Sequence, residues 1–118
     1  MKTYREFIVW QKSMRFVTEI YQITRKYPEI EIYGLVSQMR RCAVSIPSNI
    51  AEGYGRRATA DFVRFLQIAL GSLFELQTQM EVSLNLSYLD RINYDDLFEK
   101  SREIERMLTS LIRKLRVK

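Results

Sequence analysis

Apolar side chains recur every three or four positions along almost all of the 118 residues, and no segment shows the period-two alternation of a half-buried strand. This periodicity predicts an all-α protein. Proline, glycine and polar residues divide it into four helical segments, expected at 4–26, 33–54, 59–86 and 94–117, the last capped by Asn93 or Asp95. Short connections favour antiparallel neighbours, so the sequence predicts one domain over residues 1–118, an antiparallel up-down-up-down four-helix bundle.

Pro47 lies in the middle of the second segment without disturbing its pattern. The apolar residues on either side keep one helical phase, which a loop would have reset. Because proline has no N–H to donate to the carbonyl of Ala43, the sequence predicts one continuous helix with a kink at Pro47. The residues that share this phase are Leu35, Met39, Cys42, Ala43, Ile46 and Ile50.

A polar stripe runs beside the apolar face of the same helix. At about 100° per residue, its members project within one arc. If residues 55–59 form the turn to the third segment, Ser45 lies level with Ala69, one helical turn from Gly71 and Ser72. Small residues then face small residues, which predicts close packing of the two helices. The stripe includes Gln38, Arg41, Ser45, Asn49 and Glu52, with Glu75 on the third segment.

Charged members of this stripe have candidate partners. Glu52 and Arg56 are four residues apart on one helix face, and Arg41 is predicted to reach Glu75 across the two helices. We interpret the stripe as structural, a polar seam that fixes the register of the helices. The alternative is an outward-facing recognition patch formed by Asn49, Glu52 and Arg56.

Two segments carry more apolar surface than one bundle face needs. The core face of the third segment is extended sideways by Val63, Leu70 and Phe74. Surplus apolar surface often marks an interface, so we predict a homo-oligomer; the alternative is that a wide stripe is the centre of a well-packed bundle. In the first segment, the seam predicted to enter the bundle is Phe7, Trp10, Met14, Val17, Tyr21 and Thr24, and the surplus seam is Val9, Phe16, Ile20, Ile23 and Tyr27.

The residue types of common active sites are scarce. The chain has no histidine and one cysteine, Cys42, which is expected to be a small buried hydrophobe. The carboxylates of Glu52 and Glu75 have arginines nearby that would hold them ionised. We therefore expect a non-enzymatic protein with no metal and no cofactor. No apolar run approaches the ~20 residues of a bilayer span, and with the single cysteine this predicts a cytoplasmic protein without membrane contact.

Basic residues exceed acidic ones and give a net charge of +5. Thirteen of the nineteen are arginines, whose forked guanidinium suits phosphate. Their clusters, with Tyr54 interleaved, predict binding of RNA or DNA, RNA foremost. The alternatives are a charge that only maintains solubility, cations that only complement a helix dipole, and a protein-interaction scaffold with no nucleic-acid role. The candidate contacts are Arg56, Arg57, Arg64, Arg40, Arg113, Lys114, Arg116 and Lys118.

Two stretches of the chain also resemble a known family. YGLVSQMRRCAVSIPSNIAEGYGR, residues 33–56, and DFVRFLQIALGSLFEL, residues 61–76, are similar to the four-helix bundle proteins encoded in intervening sequences of bacterial 23S ribosomal RNA genes, also labelled S23. The resemblance extends over nearly the whole chain. The family's motif positions fall on Gln38, Arg41, Ser45, Pro47, Asn49, Glu52, Gly53, Arg56, Gly71, Ser72 and Glu75.

The resemblance implies an antiparallel four-helix bundle that assembles as a ring, commonly a pentamer. A related accessory protein of diversity-generating retroelements uses a similar basic barrel to bind nucleic acid and a reverse transcriptase, which implies a nucleic-acid role here. It implies no catalytic residue. Cys42 stands where alanine is usual in the family, a departure that does not affect the expected fold.

Overall fold

The computed structural model describes residues 2–117, and this range contains four α-helices and no strand. The helices are α1 (Ile8–Thr24), α2 (Leu35–Tyr54), α3 (Thr59–Asn85) and α4 (Arg91–Arg116). Short 3-10 turns at Tyr4–Glu6 and Glu29–Glu31 precede α1 and α2. The prediction of an all-α, four-helix fold is confirmed. Side chains from all four helices share one hydrophobic core, whose fully buried members include Ile20, Ile50, Leu73, Leu76, Ile104 and Leu108.

The predicted first helix is divided at Phe7. Thr3 caps the 3-10 turn before it: its hydroxyl accepts from the backbone N–H of Arg5 at 3.0 Å, and Glu6 Oε1 accepts from the N–H of Thr3 at 3.2 Å. Phe7 then adopts an extended backbone (φ −69°, ψ 123°), so α1 begins at Ile8 instead of continuing from residue 4.

The second helix continues through Pro47 without interruption, as its apolar phase predicted. Pro47 is buried and lines a groove of about 320 Å³ together with Trp10, Met14 and Val17 of α1. The lost backbone hydrogen bond is thereby accompanied by burial of the proline ring against the neighbouring helix. The kink at Pro47 stays a prediction.

Contacts between α2 and α3 run in opposite numerical order. The hydroxyl of Ser83 lies 3.6 Å from the sulfur of Met39, and the hydroxyls of Ser45 and Ser72 share a hydrogen bond of 2.8 Å. Residue numbers therefore rise along α2 as they fall along α3. The antiparallel up-down-up-down order is a prediction with which these contacts agree.

The helices α2 and α3 pack closely at Gly53. A Cβ atom at this position would lie 2.7 Å from Cβ of Phe65 and 2.9 Å from Cδ1 of Phe62. Gly71 was expected to mark such an approach, but a Cβ there would meet no atom of another part of the chain within 4 Å. That expectation is wrong because Gly71 lies on the exposed side of α3.

The core face of α1 is formed mainly by the surplus seam, which was expected to lie at an interface. Met14 and Tyr21 of the predicted core seam are exposed. Ser13 and Thr24 interrupt the apolar pattern of the true core face, and each donates its hydroxyl at 2.7 Å to the carbonyl four residues earlier, which permits burial. The buried side chains are Val9, Ser13, Phe16, Ile20, Thr24 and Tyr27.

The connection from α3 to α4 combines two helix caps. At the end of α3, the N–H of Tyr88 donates to the carbonyl of Ser83 at 2.9 Å, and the N–H of Ser87 donates to the carbonyl of Leu84 at 3.0 Å. These two bonds, with a positive φ of 64° at Ser87, form a Schellman motif. Asp90 then caps α4 by accepting from the N–H of Asn93 at 2.8 Å. The fourth helix therefore begins at Arg91, and the prediction of Asn93 or Asp95 as its cap is wrong.

A pair of glycine substitutions tests the packing of α2 on α3. Gly53→Ala is expected to lower the free energy of unfolding by about 1–3 kcal/mol, because the added methyl group overpacks against two phenylalanines. Gly71→Ala is expected to raise it by about 1 kcal/mol, since alanine favours the helix and meets open space. Urea unfolding of both variants measures the difference; equal shifts would contradict the close approach at Gly53.

Ser87, whose backbone is in the left-handed region at the α3–α4 connection, gives a second stability test. Ser87→Gly is expected to raise the free energy of unfolding by about 0.5–1 kcal/mol, because glycine adopts a positive φ without the steric cost that a side chain carries. Ser87→Ala, the control, keeps that cost and should not be stabilised. Thermal unfolding of both variants provides the comparison, and stabilisation by alanine equal to that by glycine would refute the conformational explanation.

Candidate nucleic-acid interface

An aromatic cluster joins three helix ends. The ring centroid of Phe7 lies 5.4 Å from that of Tyr54 and 6.2 Å from that of Phe62, and the rings of Tyr54 and Phe62 are 6.2 Å apart. Phe7 also lines a recess with Leu111 and Lys114 of α4. The start of α1, the end of α2, the start of α3 and the end of α4 therefore meet at one end of the molecule.

This arrangement collects basic residues from three separate parts of the chain. Arg56 and Arg57 come from the α2–α3 turn, Arg64 lies near the start of α3, and the last turn of α4 brings three more cations. The acids in this region are fewer: Glu6, Glu52 and Asp61. We call this surface the basic end; its described cations are Lys2, Arg5, Arg56, Arg57, Arg64, Arg113, Lys114 and Arg116. The predicted contact Lys118 lies outside the described residues.

Two of the predicted arginines are held in place by one aromatic ring. The guanidinium carbons of Arg56 and Arg64 each lie 4.8 Å from the ring centroid of Phe65. Arg56 also forms the predicted salt bridge with Glu52, at 2.9 Å, and Arg64 lies 3.9 Å from Asp61. These contacts order both side chains, and the two carboxylates offset part of their charge.

The charge of four further cations on this surface is not offset by a salt bridge of the described chain. Arg57 and the α4 residues Arg113, Lys114 and Arg116 are exposed, and none of the salt bridges formed within residues 2–117 includes them. The α4 cations also complement the negative end of the helix dipole. Lys2 and Arg5 were not selected from the sequence, because each is an isolated cation whose position depends on the turn before α1.

Arg40 lies elsewhere on the molecule. Its Nε donates to the hydroxyl of Thr24 at 3.0 Å, and its Nη2 donates to the carbonyl of Tyr21 at 3.3 Å. Its guanidinium carbon lies 4.5 Å from the ring centroid of Tyr21. The structure thus places Arg40 as a connection between α2 and the end of α1, apart from the basic end.

Only part of the predicted polar stripe lies between helices. Asn49 Nδ2 donates to the carbonyl and hydroxyl oxygens of Ser45 at 2.8 and 2.9 Å, and Ser45 bonds Ser72 of α3. The other stripe residues are exposed: Gln38, Arg41, Glu52 and Glu75.

The predicted salt bridge between Arg41 and Glu75 is not among those formed within residues 2–117. Glu75 instead lies beside Cys42, whose Sγ is 3.6 Å from Oε2. Cys42 is half-buried, and its burial together with the nearby Glu75 carboxylate raises the pKa of its thiol. The thiol therefore stays protonated at neutral pH, which is unfavourable for a nucleophile.

The opposite end of the bundle is rich in acids. The rings of Tyr27 and Tyr88 lie 5.4 Å apart, and the Tyr88 hydroxyl donates to Glu31 Oε2 at 3.0 Å, which joins the α1–α2 and α3–α4 connections. The described part of the chain measures 46 × 24 × 20 Å, so this acidic end lies far from the basic end. Its acids are Glu29, Glu31, Asp90, Asp95 and Asp96, accompanied by the cations Arg25, Lys26 and Arg91.

Within residues 2–117, no three histidine, cysteine, aspartate or glutamate side chains come together in a way that could hold a metal ion. In the same range, no helix has the length and apolar character needed to cross a membrane.

Comparisons with known proteins agree on one family. The chain is similar to a crystal structure of a protein with unknown function from the S23 ribosomal protein family of Bacteroides thetaiotaomicron VPI-5482, with 30% identity, a TM-score of 0.81, and coverage of 89% of this chain and 98% of that one. None of the curated proteins matches the chain. The sequence model of the 23S rRNA-intervening sequence proteins matches residues 5–110. Since that match covers most of its length, the chain belongs to the 23S rRNA-intervening sequence protein family.

Proposed function

We propose that this chain is a non-enzymatic, self-associating helical protein that binds nucleic acid, RNA foremost, at its basic end. The observation that carries the proposal is the convergence of cations from three parts of the chain on one end of the bundle. Arginine and lysine contacts to phosphates supply most of the affinity that does not depend on sequence. A convergent set of such residues provides several phosphate contacts on one surface.

The separation of charge along the molecule strengthens this proposal. The Debye length is about 8 Å at physiological ionic strength, which is short compared with the 46 Å long axis. The acidic end therefore does not cancel the attraction that the basic end exerts on a phosphate chain. The two ends together favour one orientation, in which the basic end approaches the nucleic acid.

Within the basic end, the cations have different expected roles. Arg57, Arg113, Lys114 and Arg116 are exposed and outside the salt bridges of the described chain, so they are the principal candidates for phosphate contact. Arg56 and Arg64 are already ordered by a shared aromatic ring, so less conformational entropy is lost when they bind. The proposal gives Arg40 a structural role instead, because its three contacts lie within the bundle.

An exposed apolar face on α1, α2 and the connection between them supports self-association. Its members include Met14, Tyr21, Ile32, Tyr33 and Val44, and Tyr33 is 96% exposed. Several of them line a groove of about 570 Å³ beside Arg40. Apolar surface of this kind is typical of interaction sites.

Ring assembly, for which the family resemblance favours five copies, would bring several basic ends to one nucleic acid and raise affinity through multivalency. The same apolar face supports a second candidate function, a scaffold that docks another protein there.

Removal of three cations tests the nucleic-acid proposal. The variant Arg57→Ala/Arg113→Ala/Lys114→Ala is expected to bind a structured RNA at least about ten-fold more weakly in 50 mM salt, with the slope of log K against log salt reduced by about 2. Fluorescence anisotropy at several salt concentrations measures both quantities.

A control variant removes the same net charge from the acidic end: Arg25→Ala/Lys26→Ala/Arg91→Ala. It should retain nearly all of the affinity. Equal losses in the two variants would contradict a localised site, and absence of RNA binding by the unsubstituted protein at low salt would refute the proposed function.

Measurement of mass in solution tests self-association. The unsubstituted protein is expected to sediment well above its monomer mass of 14.1 kDa, and Tyr33→Asp/Val44→Asp to sediment as a monomer because charge is placed in the apolar face. The control Leu86→Asp/Ile92→Asp alters two exposed apolar residues near the acidic end and should not change the assembly. A monomeric mass for the unsubstituted protein would contradict self-association.

A further inference from the structure

An apolar recess opens between α1 and α4 at the basic end. It has a volume of about 630 Å³, within the range of sites that hold small organic groups. Ile8 forms part of its floor although the residue is 55% exposed, so an apolar surface faces solvent there. The floor residues are Phe7, Ile8, Val9, Met107 and Leu111.

Cations dominate the rim of this recess. Its charged lining residues are Lys12 of α1 and Glu103, Arg106 and Lys114 of α4. Lys12 is bridged to Glu103 at 3.2 Å, and Arg106 is directed along α4 to Glu99 at 3.1 Å. Lys114 belongs to none of the salt bridges within residues 2–117, so its charge is available to a ligand.

A surface that contacts only phosphates needs no apolar floor. A duplex keeps its bases stacked inside and presents phosphates and sugars to a protein surface of this shape. An unpaired nucleotide can turn its base outward, and proteins recognise such bases by packing against their flat apolar faces. The combination of an apolar floor with a cationic rim therefore favours a single strand over a duplex.

We propose that this recess receives an unpaired base of a single-stranded segment, while Lys114 contacts a neighbouring phosphate. The inference rests on the proposed function and specifies its substrate class. The hydroxyl of Ser110 is the small polar group at the rim suited to the edge of a base. A mainly apolar floor does not read base identity, so we expect little sequence preference.

Paired ligands test this inference. An unstructured 12-nucleotide single-stranded RNA is expected to bind at least about ten-fold more tightly than the duplex it forms with its complement, at the same salt concentration. Ile8→Ser should weaken single-strand binding by about five- to ten-fold and leave duplex binding unchanged, because it removes apolar surface that the base would bury without changing charge. Ile92→Ser, at an 82% exposed position near the acidic end, is the matched control and should change neither.

Each other outcome has a definite meaning. Equal binding of single strand and duplex, with no effect of Ile8→Ser, would overturn the recess inference and leave the basic end as a general phosphate site. If the unsubstituted protein binds neither the single strand nor the duplex, the proposed function itself is refuted. If single-strand binding is unaffected by Ile8→Ser but an acidic amphipathic helical peptide depends on Ile8, the recess binds a protein segment and the inference is wrong.

Discussion

The contact of Gly53 with Phe62 and Phe65 fixes how the end of α2 meets the start of α3. Because no side chain separates them there, the two backbones approach closely and the turn between them is short. Phe62 joins the aromatic cluster that holds the start of α1, and Phe65 orders Arg56 and Arg64. One point of close packing therefore determines both the shape of the basic end and the placement of its arginines.

Much of the fold could be predicted because helical periodicity is a local property. The apolar phase across Pro47 correctly indicated an unbroken helix. The core face of α1 could not be assigned in this way, because the polar residue Ser13 lies on it and is satisfied by its own helix; of the predicted core seam, Thr24 is buried as expected. The apolar pattern also does not reveal local caps: Asp90 caps α4, so the helix begins earlier than the apolar pattern of α4 indicates.

The candidate site was less accessible to sequence reasoning because it depends on distant contacts. The cations near residue 57 and those near residue 114 could be identified separately, yet only the packing of α4 beside Phe7 brings them together. Arg40 belonged to the same sequence pattern, but its partner Thr24 lies sixteen positions away on another helix. The apolar recess has no sequence signal, since Ile8 and Met107 come from opposite parts of the chain.

Hydrogen exchange of the backbone amides, measured by mass spectrometry with and without a structured RNA, tests the central claim most directly. If the convergent cations form the binding surface, RNA should slow exchange in residues 2–9, 54–64 and 106–117 together, and leave residues 25–33 and 86–96 unchanged. Protection confined to the acidic end, or to only one of the three basic segments, would show that the basic end does not act as one site.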